Sequence, residues 1–515
     1  MWEIILAIIA ISFTAFYFYV KYKMSYWRRH GVAEDPGFFP FGGQHIWDML
    51  TEKTAFTEMT KTVYFNHPNE KVVGTYEMFG DPGIVIRDID IGKLVLIKDF
   101  DQFAERKPTS SVAYKQGSKN NKYLPQMLVE LRGSEWKRVR SSLTPAFTSG
   151  KLKAMVPLIH RVLDNCDNLL EKTMDDNLID TEEIMRNFSM DVIISTGFGY
   201  ECDSFNDPEN IFKKQADKMF GKEMKWDVML GMMMFIFAPK LLGWLDWRMF
   251  DKEAEDFFSA LIMKTIAERQ ASGEKRNDLI DICLDILKKE ENLSEGDEGK
   301  MKKEEMDTLL ISNSLMMFLA GFETVTGVGS MIMYFMAKNP ECQQKLYEEL
   351  NKAVEENGDS NFDYQTIMNM PYLEMVFQEC QRMYPLGHIE RASVNDYKIP
   401  GTDVVIPKDI FVRVPISEFC KDEKFFPNPE VFNPENFTAE NKANRSPLAS
   451  GGFGHGPRNC IAQRFATMEV KLLVGRLLHK YRVEPCSKTV ESLVPDPKSR
   501  SFLPKGGVWV KLEKR

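Results

Sequence analysis

The stretch Ser450-Gly451-Gly452-Phe453-Gly454-His455-Gly456-Pro457-Arg458-Asn459-Cys460-Ile461-Ala462 holds the residue types best suited to chemistry in this chain. Its four glycines permit a tight turn in which backbone N–H groups approach one atom closely. Apolar periodicity over about 461–480 predicts a helix, which puts Cys460 at a helix N-terminus. There the dipole and free N–H groups lower a thiol's pKa. A thiolate so held is a metal ligand or a nucleophile. A phosphate cradle would want Lys-Ser/Thr after the glycines, and none follows. A thiol nucleophile wants a histidine partner; His455 is near in sequence, which is not evidence of a dyad.

A second group lies inside an apolar segment. Residues 304–338 read as one helix on the order of 50 Å long. Its centre, Leu315-Met316-Met317-Phe318-Leu319-Ala320-Gly321-Phe322, is apolar all round and belongs in the middle of the molecule. Ala320 and Thr324 share a face. A threonine hydroxyl there can bond the carbonyl four residues back and leave a polar groove. Glu323 beside it would be a largely desolvated carboxyl, able to donate or carry a proton; an incidental ion pair is the plainer reading. Trp136 and Arg140 also share a helix face, and an indole N–H and a guanidinium fork both donate well to carboxylates.

The elements that must position these groups follow from the rest of the chain. Residues 4–20 form an uncharged apolar run of roughly 26 Å as a helix, enough for a thin bilayer. No basic residue precedes it, whereas Lys21, Lys23, Arg28 and Arg29 follow it, so an uncleaved anchor is expected with the body in the cytosol. We expect a transmembrane anchor over 1–22, a basic and Pro/Gly-rich hinge over 23–43, and one large body over 44–515. That body is mainly helical. Short β-rich pieces over 73–97 suggest a small sheet, and Asn339-Pro340 opens a helix that Gly358 closes.

The 515 residues are 43% hydrophobic and 27% charged, which excludes a disordered or fibrous chain. The charge balance, 66 basic against 75 acidic residues, gives −9 and argues against bulk nucleic-acid binding. The 8 cysteines include no CxxC pair, so neither a disulfide framework nor a zinc site is indicated.

The pattern Phe453-x-x-Gly456-x-Arg458-x-Cys460-x-Ala462 resembles the haem-binding signature of the cytochrome P450 family, with alanine where glycine is usual. Ala320-Gly321-Phe322-Glu323-Thr324 resembles that family's oxygen-activation motif, with Val325 in place of a second hydroxyl. Glu379-Cys380-Gln381-Arg382, followed by Met383-Tyr384-Pro385, matches its Glu-x-x-Arg element. Asn436 stands where the partner arginine of that element is found. The likeness runs the length of the chain and is nearest the animal microsomal, xenobiotic-metabolising group.

The resemblance implies a cytochrome P450 fold holding haem b, with Cys460 as the axial iron ligand. It implies that Trp136, Arg140, Arg391 and Arg458 meet the haem propionates, that Arg106 is a weaker candidate, and that Ala320, Phe453 and Ala462 lie against the ring. Thr324 and Glu323 would handle oxygen and protons. Electrons would come from an NADPH–cytochrome P450 reductase, with cytochrome b5 assisting, at the endoplasmic reticulum membrane. Lys137 and Arg138 would add a basic docking patch. The lipophilic substrate would meet residues 110–124, 232–237 and 386–389 with Phe318, Phe322, Phe502 and Leu503. Two rivals stand beside this reading: a reductase-independent lipid peroxide isomerase or dehydratase, and a non-catalytic membrane protein that binds haem or lipid.

Overall fold

The computed structural model describes residues 2–106, 120–173, 178–207, 209–220, 239–276, 278–291, 303–385, 387–497 and 503–515, with the pieces 226–227, 230–231 and 234. The first helix, α1 (Trp2–Lys23), is exposed along nearly its whole length although almost every side chain is apolar. Such a surface is compatible with a membrane anchor, and 22 residues rise about 33 Å, the thickness of a bilayer core. Its last turn is different. Val20 is fully buried, as is Trp27 just beyond the helix, and Met24 is buried beside them.

Trp27 seats against strand β1 (Val72–Tyr76), with Nε1 donating to the Thr75 carbonyl at 3.2 Å. A Cβ at Gly74 would come within 2.2 Å of its ring, so only glycine leaves that space. Phe39 packs edge-on against Phe13, Phe16 and Tyr17 of α1 at ring separations of 5.2–5.8 Å. Met24, Trp27, Val32 and Phe39 tie the segment over 23–43 to the hydrophobic core.

Strand β1 pairs antiparallel with β2 (Pro82–Ile86). The sheet continues through β5 (Phe411–Val414), parallel to β2, to β4 (Ile389–Ala392), antiparallel to β5. The β-rich reading of 73–97 holds only as far as Ile86. Asp88 accepts from the N–H groups of Asp90 and Ile91 at 2.9 and 3.0 Å and starts a helix, so residues 89–98 are helical. A second sheet joins β3 (Leu178–Asp180), β6 (Tyr481–Glu484) and β7 (Trp509–Lys514) in the order β6-β7-β3.

Helices make up the rest of the core. The central one, α5 (Lys303–Lys338), begins within a residue of its expected start. Its flanks are covered by α3 (Thr181–Ile193) and α8 (Gln463–Lys480). Helix α6 (Pro340–Asn357) buries Leu346 and Leu350 and ends at Gly358 with φ +89°. Asn339 stands at its N-cap position, but the amide donates back to the Phe335 carbonyl of α5 at 2.8 Å. Two further helices matter for the site: α2 (Gly133–Leu143), and α7 (Pro371–Met383), which packs on α5. The short α4 (Ile211–Phe220) lies beside α3.

Candidate functional site

The cysteine loop closes on itself. Cys460 N–H donates to the Phe453 carbonyl at 2.8 Å, and Asn459 N–H to Gly456 at 3.0 Å. Gly454 and Gly456 take φ of +73° and +75°, and a Cβ at Gly456 would strike the Leu96 carbonyl at 1.8 Å. Glycine is therefore required there. Helix α8 starts only at Gln463, so Cys460 precedes it by almost a turn instead of capping it. In the protein alone, the surrounding protein atoms desolvate the Cys460 thiol and push it up, against the Ala462 N–H and the charges of Arg140 and Arg106, although the side chain is exposed to the cavity.

Cys460 lines a cavity of about 610 Å³ that also takes in Thr324, Ala320, Phe453 and Ala462. Four guanidinium groups converge on it: Arg106, Arg140, Arg391 and Arg458. Arg391 is 1% exposed, donates to the Glu390 carbonyl at 2.8 Å, and leaves Nε without a partner. Burial, with repulsion from Arg106 and Arg458, pushes Arg391 down to about 9. Burial and Arg106 push Arg458 down to about 9 as well. Both stay charged at neutral pH. Arg458 donates to the carbonyls of Ala104 and Leu131 at 2.6 and 2.8 Å and lies over the ring of Trp136. Cations held this close together call for an anion between them.

On α5, Thr324 Oγ1 donates to the Ala320 carbonyl at 2.7 Å, the back-bond expected of a threonine in this setting. Glu323 takes a different direction. Its carboxylate accepts from Arg186 of α3 at 2.9 Å, and it is not among the residues that line the cavity. Arg186 also reaches Asp217 of α4 at 3.1 Å. On α7, Arg382 makes a two-point bond to Glu379, both contacts at 2.7 Å, with both side chains fully buried. Asn436 donates to the same carboxylate at 3.2 Å.

Comparison with known protein families matches residues 49–510 to the family described as Cytochrome P450. The chain belongs to the cytochrome P450 family. Among relatives of similar length, it is 32% identical to "Cytochrome P450 6B2" of Helicoverpa armigera over 512 residues, covering 99% of this chain and 98% of the relative. It is 33% identical to "Cytochrome P450 6B1" of Papilio polyxenes, with 99% of each chain covered. It is 32% identical to "Cytochrome P450 6a2" of Drosophila melanogaster over the whole of both chains. A haem-thiolate cofactor, a monooxygenase activity, and a need for dioxygen, substrate and a redox partner come with the family.

The residues present fit haem. The orphaned Nε of Arg391 and the four converging guanidinium groups suit two propionates, and Cys460 is the one cysteine among the cavity-lining residues. Every sequence-derived haem contact, Trp136, Arg140, Ala320, Arg391, Phe453, Arg458, Cys460 and Ala462, lines this cavity. Of the residues expected to meet substrate, Phe318, His388 and Ile389 line it. Phe322 is turned away, stacked on Phe318 and carrying the Arg186 guanidinium 4.7 Å above its ring. Leu503 is buried in the core away from the cavity. Residues 110–119, Leu386, Phe502 and all of 232–237 except Met234 lie outside the described residues. Lys137 is exposed and 3.6 Å from Asp101, whereas Arg138 is half-buried, so α2 offers one exposed cation of the expected two.

Sequence reasoning missed several polar groups in the cavity wall, including Gln381, Glu390, Asn459 and Glu469. Glu469 is 0% exposed with neither oxygen bonded, and burial raises it well above the usual carboxylate range. The signal for it was present: one acid amid the apolar face of α8.

Proposed function

We propose that this enzyme inserts one oxygen atom from O2 into lipophilic small molecules, using electrons passed from NADPH by a flavin-carrying cytochrome P450 reductase. Cytochrome b5 assists, and the cofactor is haem b. The balance is substrate C–H plus O2, two electrons and two protons, giving the hydroxylated product and water. The observation that carries this reading is the shared cavity, in which Cys460, Thr324 and four guanidinium groups meet among mostly apolar walls. A volume of about 610 Å³ suits a drug-sized apolar ligand.

When bound, haem supplies the redox chemistry that cleaves dioxygen, which a thiolate ligand favours. The protein's own groups do the rest. Cys460 would be the ligand, Arg106, Arg140, Arg391 and Arg458 would neutralise the propionates, and the Trp136 indole would donate to them. Thr324 holds its hydroxyl against the Ala320 carbonyl, which leaves its oxygen free to accept from water or reactant in the cavity. Proton delivery passes through this hydroxyl. Glu323, held by Arg186, serves as a carrier only when that pair opens. Phe318, Ile389 and the neighbouring apolar walls exclude water and select for lipophilic ligands.

The anchor over 1–22 crosses the endoplasmic reticulum membrane once, the segment 23–43 sets the angle, and the body over 44–515 faces the cytosol. Lys137 contributes to the docking surface for the reductase. The deciding experiment is the absorption spectrum of the dithionite-reduced, full-length protein under carbon monoxide. A strongly red-shifted band is expected from thiolate ligation; a nitrogen-ligated spectrum overturns the reading. Dependence of product formation on NADPH and reductase then separates it from a peroxide isomerase.

A further inference from the structure

Arg140 reaches from α2 to the residue that immediately precedes Cys460. Its Nη1 donates to the Asn459 carbonyl at 2.9 Å, and its Nη2 to Asn459 Oδ1 at 2.8 Å. Arg458, one residue earlier, lies with its guanidinium carbon 4.2 Å from the Trp136 ring on the same helix. Helix α2 thus grips both residues leading into Cys460, one by a two-point charge-assisted hydrogen bond and one by a cation–π contact.

The loop needs that grip. Upstream of Asn459 it contains Gly451, Gly452, Gly454 and Gly456, residues with wide torsional freedom. The Asn459 carbonyl belongs to the same rigid peptide plane as the Cys460 nitrogen. That plane is held on its N–H edge by the Phe453 carbonyl within the loop and on its C=O edge by Arg140 from outside it, so its rotation is set from both sides. The amide Oδ1 supplies the second point, without which Arg140 could pivot about a single bond.

We infer that Asn459 is a positioning residue for the thiolate, its carbonyl and Oδ1 clasped by Arg140 so that Cys460 Sγ is aimed into the cavity. This rests on the reading of Cys460 as the haem ligand. Asn459→Ala removes one of the two acceptors, whereas Asn459→Asp keeps both.

The test uses full-length, haem-loaded protein and its Asn459→Ala, Asn459→Ser and Asn459→Asp variants. Haem per chain, thermal unfolding by circular dichroism, and the rate at which the red-shifted carbon monoxide band decays at a fixed, mild urea concentration are measured. Asn459→Ala is expected to bind haem and unfold like the parent but to lose the band about tenfold faster, equivalent to about 1.4 kcal/mol. Asn459→Asp is expected to restore the parental rate. Should the alanine variant not fold, Asn459→Ser, whose hydroxyl is too short to reach Arg140, takes its place with the same expectation. A parental decay rate in the alanine or serine variant overturns the inference, as does an aspartate variant that decays as fast as alanine. A parent protein with no red-shifted band overturns the Cys460 reading instead, so the two failures are distinct.

Discussion

Arg186 on α3 donates to Glu323 on α5 across 2.9 Å, and the two side chains are only 8% and 6% exposed. The residue next to Thr324 is thereby committed to joining two helices. A buried pair of this kind costs most when one partner is removed, because the other charge is left without compensation. Arg186→Leu is expected to destabilise the protein by about 3–5 kcal/mol, and Arg186→Leu/Glu323→Leu to recover most of that loss. Urea unfolding of the parent and these two variants checks both. The Asp217 contact is half-exposed and should contribute far less.

Thr324 is expected to separate electron use from product. Thr324→Ala removes the hydroxyl but leaves the helix intact, so NADPH consumption should persist while product per NADPH falls. If the hydroxyl carries the proton step, the loss in product rate is on the order of a hundredfold. Thr324→Ser, which keeps the donor to the Ala320 carbonyl, should retain most of the coupling. Stoichiometry of NADPH, product and peroxide is the measurement.

His45 sets an acid limit on stability. It is 5% exposed with neither ring nitrogen bonded, and burial together with Arg413 lowers it from 6.5 to about 4. The unfolded chain thus binds the proton first as pH falls. Its contribution is fully present above pH 6.5 and is lost as pH drops toward 4, by a total of about 3 kcal/mol. His45→Leu should flatten that part of the stability curve, as read by denaturant midpoints between pH 7 and pH 4.

Asn436 and Arg445 together replace a cation. Arg445 donates to the Asn436 carbonyl at 2.7 Å, and its guanidinium lies 4.0 Å from the Phe426 ring, over which Arg382 also sits at 4.9 Å. Arg445→Leu is expected to lower stability by about 1–2 kcal/mol. Asn436→Arg should be unfavourable alongside Arg445 and better tolerated without it. A thermal-melt cycle over the single and double variants gives the coupling.

Local chemistry was legible in the residues. The loop around Cys460 and the apolar course of α5 were visible because each depends on spacing within one segment. The Thr324 back-bond was readable for the same reason. Contacts that join distant segments were not. Arg186 meets Glu323 from 137 residues away, and Arg140 meets Asn459 from 319 away. Nothing in either local pattern points to the other. Residues 89–97 fell within the stretch read as β-rich, whereas the Asp88 cap decided for helix.

The placement of Val20, Met24 and Trp27 against the first sheet has a practical bearing on how far the N-terminus can be trimmed to obtain soluble protein. A chain cut at the end of α1 would remove Val20 from that contact and leave the neighbouring apolar recess open to water. A cut upstream of Val20 would discard most of the exposed apolar length and keep the plug in its socket.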